Sequence, residues 1–196
     1  METMGVISRH GGGRLWRRCA VVLAAPVIML SFLVACGRDD PLNEPAERFE
    51  MVEVDYERAI RLSVAEVTAG ELVALELREP ESDSPVWESR IADQDGQLRT
   101  VRLDATRGEV LETSSGPDLK DAERQQLVQL MEEAQLLPDE AAREAADTGE
   151  RVTAIELQRH DGDPVWRVSV LGVADDSATV HVVDARTGEI LERHTA

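Results

Sequence analysis

The chain has 196 residues, 39 acidic against 21 basic, for a net charge of −18. That balance excludes a nucleic-acid binder, which needs a basic face to displace counterions from phosphates, and 3% aromatic residues leave few platforms for stacked bases. The 42% hydrophobic content excludes wholesale disorder, and two cysteines cannot build a disulfide scaffold.

The amino terminus differs from the rest. Arg9, Arg14, Arg17 and Arg18 precede Cys19–Ala35, seventeen residues without a charge. A basic segment followed by a short apolar one describes an export signal. The apolar stretch, broken by Pro26, is at the low edge for a spanning helix, which needs about 20 residues. An uncleaved membrane anchor is therefore the weaker alternative. The Arg17-Arg18 pair fits twin-arginine export poorly. The stretch ends in Leu33-Val34-Ala35-Cys36, which resembles the lipobox of bacterial lipoproteins. The resemblance implies a signal peptide at residues 1–35 and lipid attachment at Cys36. The sulfur would take a diacylglyceryl group as a thioether, and the amine freed by cleavage a further acyl chain. The mature chain would then hold no thiol for redox, metal or nucleophilic work.

Residues 36–54 are acidic, carry Pro41 and Pro45, and show no clean period. They read as a tether spanning about 25 Å root-mean-square. Its negative charge disfavours contact with an anionic membrane.

From residue 55 the pattern becomes regular. Tyr56, Ile60, Val64 and Val67 recur at helical spacing, predicting a helix that ends near Gly70. Strand-like runs follow at about 72–79, 85–92 and 97–104, with Asp95-Gly96 as a hairpin signal. Asp118 is placed to cap a helix through about residue 135, and Pro138-Asp139-Glu140 starts a shorter helix ending near Gly149. Further strands are expected near 151–159, 164–172 and 177–184, the first turn being Asp161-Gly162. Trp166, Val168 and Val170 alternate with Arg167 and Ser169, so that strand has one buried face.

These elements repeat. The block from Asp104 to Glu112 recurs from Asp184 to Glu192, identical at six of nine positions. Pro85-Val86-Trp87 recurs as Pro164-Val165-Trp166, and Ala74-Leu75-Glu76-Leu77 as Ala154-Ile155-Glu156-Leu157, in the same order and at nearly the same offset. The expected fold class is α+β: two tandem modules, each a helix packed on a three-stranded antiparallel sheet. Their bounds are 55–113 and 137–196, joined by a helical linker over 114–136.

A helix, three strands and a closing Val183-Asp184-Ala185-Arg186-Thr187-Gly188-Glu189-Ile190-Leu191 resemble the PepSY domain. The first copy departs from the pattern by Arg107, and His181 stands where an apolar strand residue is usual. The resemblance implies a secreted or membrane-attached protein that binds or modulates a peptidase or other envelope protein. It brings no catalytic residues.

Catalytic motifs are not found. There is no G-x-S-x-G, H-E-x-x-H, P-loop or G-x-G-x-x-G. His10 lies in the signal segment and His194 in the tail, which leaves His160 and His181, too few for a His-based metal centre without carboxylates. His181 is expected as a partly satisfied sheet residue. Asp93-Gln94-Asp95-Gly96 opens like a calcium loop, but Asp104 stands where the loop's closing glutamate belongs. Asp161-Gly162-Asp163 is similar, and both read better as turns. Trp87 and Trp166 could form a platform, though core positions suit them better. Gly108 and Gly188 are expected to need a left-handed backbone, with Asp104 and Asp184 accepting hydrogen bonds within the same turns. The expectation is a non-catalytic, lipid-anchored extracytoplasmic protein with no cofactor and no bound metal. A ligand- or cation-sensing module, using acidic turns or the groove between modules, is the alternative.

Overall fold

The protein is described from a computed structural model, over residues 49–195. The expected signal peptide, Cys36 and most of the tether lie outside the described residues.

Helix α1 (Tyr56–Ala65) starts at Asp55, whose side chain accepts the Arg58 N–H at 2.7 Å and so satisfies one free donor of the first turn. Four strands follow: β1 (Glu71–Arg78), β2 (Val86–Ala92), β3 (Leu98–Asp104) and β4 (Val110–Ser115). Two helices come next, α2 (Asp121–Glu133) and α3 (Pro138–Ala145). Four more strands complete the fold: β5 (Glu150–His160), β6 (Asp163–Gly172), β7 (Ala178–Asp184) and β8 (Ile190–Thr195).

The class is α+β, but the sheet departs from the expectation of two separate three-stranded sheets. All eight strands join in one antiparallel sheet of order β4-β3-β2-β1-β5-β6-β7-β8. The residues after each Asp-Ala turn form a further strand in each half. Separate sheets would also leave β1 and β5 as edges with unpaired backbone groups beside apolar side chains. Pairing the two strands satisfies those groups and merges the cores.

The seam is self-complementary. Leu75 faces Ile155, Ala74 faces Glu156 and Glu76 faces Ala154. Leu75 and Ile155 hold the same position in the two copies of the repeat, so each strand meets its own counterpart about a local two-fold. Other irregularities recur at matching positions. Register shifts fall at Leu72/Ala74 and Val152/Ala154, and again at Arg102/Leu103 and Val182/Val183.

Helices α1 and α3 pack on one face, α1 over β1–β3 and α3 over β5–β7. The apolar rows beneath them form one core that includes Leu75, Trp87, Val101, Ile155, Trp166 and Val168. Phe49, Val52 and Val54, expected in the tether, belong to that core: Val54 is fully buried and its N–H donates to the Ala105 carbonyl at 2.8 Å. Asp118 does not cap α2. The helix begins after Lys120, whose backbone N–H donates to the Glu123 carboxylate at 2.8 Å. Helix α3 stops at Ala145, short of Gly149, because Ala146 turns to an extended backbone.

Candidate functional site

The two Asp-Ala turns are occupied by their own hydrogen bonds. Asp104 Oδ1 accepts the N–H groups of Thr106 and Arg107, both at 2.9 Å. Asp184 Oδ1 accepts those of Arg186 and Thr187 at 2.7 and 2.8 Å. Gly108 and Gly188 have φ of 77° and 80°, the left-handed region that a Cβ disfavours. Hydrogen bonds from the Arg107 side chain, then from backbone N–H groups, hold the Asp104 carboxyl below the usual range. Burial acts to raise Asp184, and the Arg186 and Thr187 N–H groups outweigh it, so its pKa is also lowered. The calcium-like loop likewise uses its first carboxylate internally, Asp93 Oδ1 accepting from Asp95 and Gln97.

The histidines fall in two places. His160 Nε2 and His194 Nε2 lie 3.1 and 2.7 Å from the two oxygens of Glu192. This places the tail residue His194 beside His160, which sequence spacing alone does not suggest. Those contacts, His194 first, lower the Glu192 pKa. No group of three or more His, Cys, Asp or Glu among the described residues has a metal-holding arrangement. His181 is fully buried, and neither ring nitrogen has a hydrogen-bond partner. The expectation that it is partly satisfied is thereby corrected. Burial, with Arg193 adding to it, pushes its pKa down.

An ionic cluster ties α2 to the second half. Glu133 accepts from Arg159 at 2.8 Å and Arg186 at 2.7 Å, and Arg186 also reaches Asp163 at 2.9 Å. The hydrogen bond from Arg159 chiefly lowers the Glu133 pKa. Every member is exposed or half-exposed, so the cluster orients side chains more than it stabilises the fold.

Neither tryptophan forms a platform. Trp87 is 1% and Trp166 2% exposed. Trp87 Nε1 donates to the Val54 carbonyl at 2.8 Å and Trp166 Nε1 to the Leu136 carbonyl at 2.9 Å. These matched bonds extend the repeat to the segments before the helices, with Val54 equivalent to Leu136 and Tyr56 to Pro138.

A cleft walled by residues of both halves lies beside each tryptophan, and the two differ threefold in size. The one next to Trp166 has a volume of about 730 Å³ and is walled by Ile60, Val64, Leu72, Leu136 and Leu157. The one next to Trp87 has about 230 Å³. Most lining positions correspond, so the fold itself does not dictate the larger void. Substitution does. Where the small cleft has Val52, Tyr56 and Glu150, the large one has Ala134, Pro138 and Gly70. The small cleft is further braced by Arg151, which donates to the Val52 carbonyl at 3.1 Å and stacks 5.3 Å from the centre of the Phe49 ring. Glu71 takes the place of Arg151 in the open cleft. Burial, then the neighbouring Glu57 carboxylate, push the Tyr56 phenol pKa up. At the mouth of the open cleft, Leu137 is 59% exposed, and Arg61, Glu71 and Asp139 form a mostly acidic rim.

Comparison with known proteins finds a PepSY domain, described as "Peptidase propeptide and YPEB domain", at residues 136–194. That segment runs from Leu136 at the open cleft through α3 to β8. No curated protein matches the chain. Among solved structures, CD1622 of Clostridium difficile 630, named as a candidate lipoprotein, has 19% identity and a TM-score of 0.47 over 76% of this chain and 97% of its own. YpmB of Bacillus subtilis has 19% identity and a TM-score of 0.31 over 72% of this chain and 97% of its own. The YpeB C-terminal domain of Bacillus megaterium has 12% identity and a TM-score of 0.27 over 72% of this chain and 65% of its own. All three TM-scores lie below 0.5. No helix among the described residues is long and apolar enough to cross a membrane.

Proposed function

We propose that the chain is a non-catalytic binding protein of the cell envelope, held to a membrane by lipid on Cys36, that docks a partner protein in the cleft beside Trp166. In this reading residues 55–113 are a diverged second PepSY-like copy joined to 137–196 through 114–136. The observation that carries it is the difference between the two clefts. One of two equivalent positions is filled by Tyr56, braced by Arg151 and reduced to about 230 Å³, whereas the other stays open at about 730 Å³. The apolar walls suit one or two large aliphatic or aromatic side chains. Glu71 at the rim suits a Lys or Arg flanking them, whereas Asp139 is already bonded to Arg143 at 3.1 Å. A peptidase is the partner class suggested by the description of the matched domain. Sensing of a small apolar ligand is the second reading, since about 300–1,000 Å³ is typical of such sites.

Ala134→Val with Pro138→Tyr tests the reading by writing the closed cleft's residues into the open one. Tyr56 and Pro138 each hold the first position of their helix, so the exchange keeps the backbone role. The double variant is expected to fold as before and to lose the partner captured by cross-linking in the envelope. Undiminished capture by a folded variant contradicts docking in the cleft. The anchor has its own test. Cys36→Ser is expected to abolish metabolic labelling with a fatty acid, since a hydroxyl cannot form the thioether. Unchanged labelling contradicts attachment there.

A further inference from the structure

We propose that His181 is a built-in acid sensor, a buried and unpartnered imidazole whose protonation loosens the packing of α3 on the second half of the sheet. The position is anomalous within the chain itself. Its counterpart in the first copy of the repeat is Val101, also fully buried. One copy of the core thus carries an aliphatic side chain and the other a titratable ring with two unmet hydrogen-bonding atoms. Leaving such atoms buried costs stability that an aliphatic residue would not lose.

The surroundings set the direction of the response. Across the sheet His181 faces Val168 of β6, which offers no acceptor, and Arg193 of β8. The segment after α3 supplies Asp147, and the start of β5 supplies Glu150. These two carboxylates favour a protonated ring, whereas burial and Arg193 oppose it, and burial is the largest influence. The groups above are linked. Asp147 lies 3.7 Å from Arg193, and its N–H donates to Glu150 at 2.8 Å. A proton on His181 must either stay unpaired in the core, or draw Asp147 from Arg193 or Glu150 from the Asp147 N–H. The second outcome disturbs the chain just after Ala145, where α3 ends. Because α3 packs on β6 and β7 and buries Ala141, Ala142 and Ala145, that helix is the element released.

The pH window follows from linkage. The unfolded ring titrates near 6.5, and the folded ring only at lower pH. Stability is therefore full above about pH 6.5 and falls as the pH drops below it, because the unfolded chain binds the extra proton. The lowered carboxylates Asp104, Asp184 and Glu192 act in a separate window, below about pH 5.

The test is the melting temperature of the full chain from about pH 7.5 to about pH 5, for wild type, His181→Val and His181→Gln. The wild type is expected to lose melting temperature through this range, and both variants to lose at most half as much. Amide exchange in α3 should rise with acid in the wild type alone. A ring-proton titration of His181 by NMR in the wild type needs no variant to fold. Equal acid losses in the wild type and the variants, or a ring that titrates at or above about 6.5, overturns the proposal.

Discussion

Trp87→Ala is expected to destabilise the protein by about 3–5 kcal/mol, the range for removing a large aromatic side chain from a packed core. Two losses combine. The ring is 1% exposed within the main core, and removing it leaves a cavity that rigid neighbouring strands cannot close. The Val54 carbonyl also loses its indole donor, at 2.8 Å, and stays buried. Trp166→Ala should cost no more, because that ring, 2% exposed, borders the larger of the two clefts. Urea denaturation followed by far-ultraviolet circular dichroism measures both. A loss below about 1 kcal/mol for Trp87→Ala, or a larger loss for Trp166→Ala, contradicts the packing described.

Ile155→Asp should have the larger effect, abolishing cooperative folding at neutral pH. The side chain is fully buried and faces Leu75 at the centre of the sheet, where the two halves share one core. An unpaired carboxylate there costs about 4 kcal/mol or more, against a total stability of about 5–15 kcal/mol. Mild acid should restore part of the folded state by neutralising the new carboxyl. Its neighbour supplies the contrast. Glu156 pairs with Arg90 at 2.6 Å, and both are about 40% exposed, so Glu156→Ala should cost less than about 1 kcal/mol. Circular dichroism at pH 7 and in mild acid decides between them. A variant at position 155 that melts like the wild type shows that the seam does not couple the halves.

What can be read from the sequence follows the range of the forces involved. The six strand runs, the Asp-Gly hairpins and the two left-handed glycines are local features, set by alternation and backbone sterics, and the structure contains them. Strands β4 and β8 are not legible as strands. Val110–Ser115 and Ile190–Thr195 are almost wholly exposed, so no buried face imprints a period on them. The β1–β5 seam joins segments far apart in the chain and leaves no local mark, although the repeat of Ala74–Leu77 at Ala154–Leu157 makes a self-complementary pair possible. Asp118 resembles a cap by residue type. The helix start is decided instead by the Glu123 carboxylate reaching the Lys120 N–H.

The cleft is half legible. Extending the repeat from the strands to the helices, with Val54 set against Leu136, exposes the exchanges of Tyr56 for Pro138 and Val52 for Ala134. That those positions line a void depends on packing across non-local elements. His181 stands out as a polar residue at an apolar strand position, but its lack of any partner is a property of the folded core alone. The ionic cluster of Glu133, Arg159 and Arg186 brings together α2, β5 and the closing turn, and charge composition gives no hint of it.

The most direct measurement of partner docking is site-specific photo-cross-linking in intact cells, with the cross-linker at the cleft mouth in place of Leu137 or on the far sheet edge in place of Ser115. Leu137 is the most exposed large apolar residue in the described chain and borders the cleft. Ser115 closes β4 at one outer edge of the sheet. A discrete cross-linked protein from position 137, absent from position 115 and lost when Ala134→Val and Pro138→Tyr fill the cleft, is the result this account predicts. Cross-linking from position 115 with none from position 137 would place the partner on the sheet edge and contradict it.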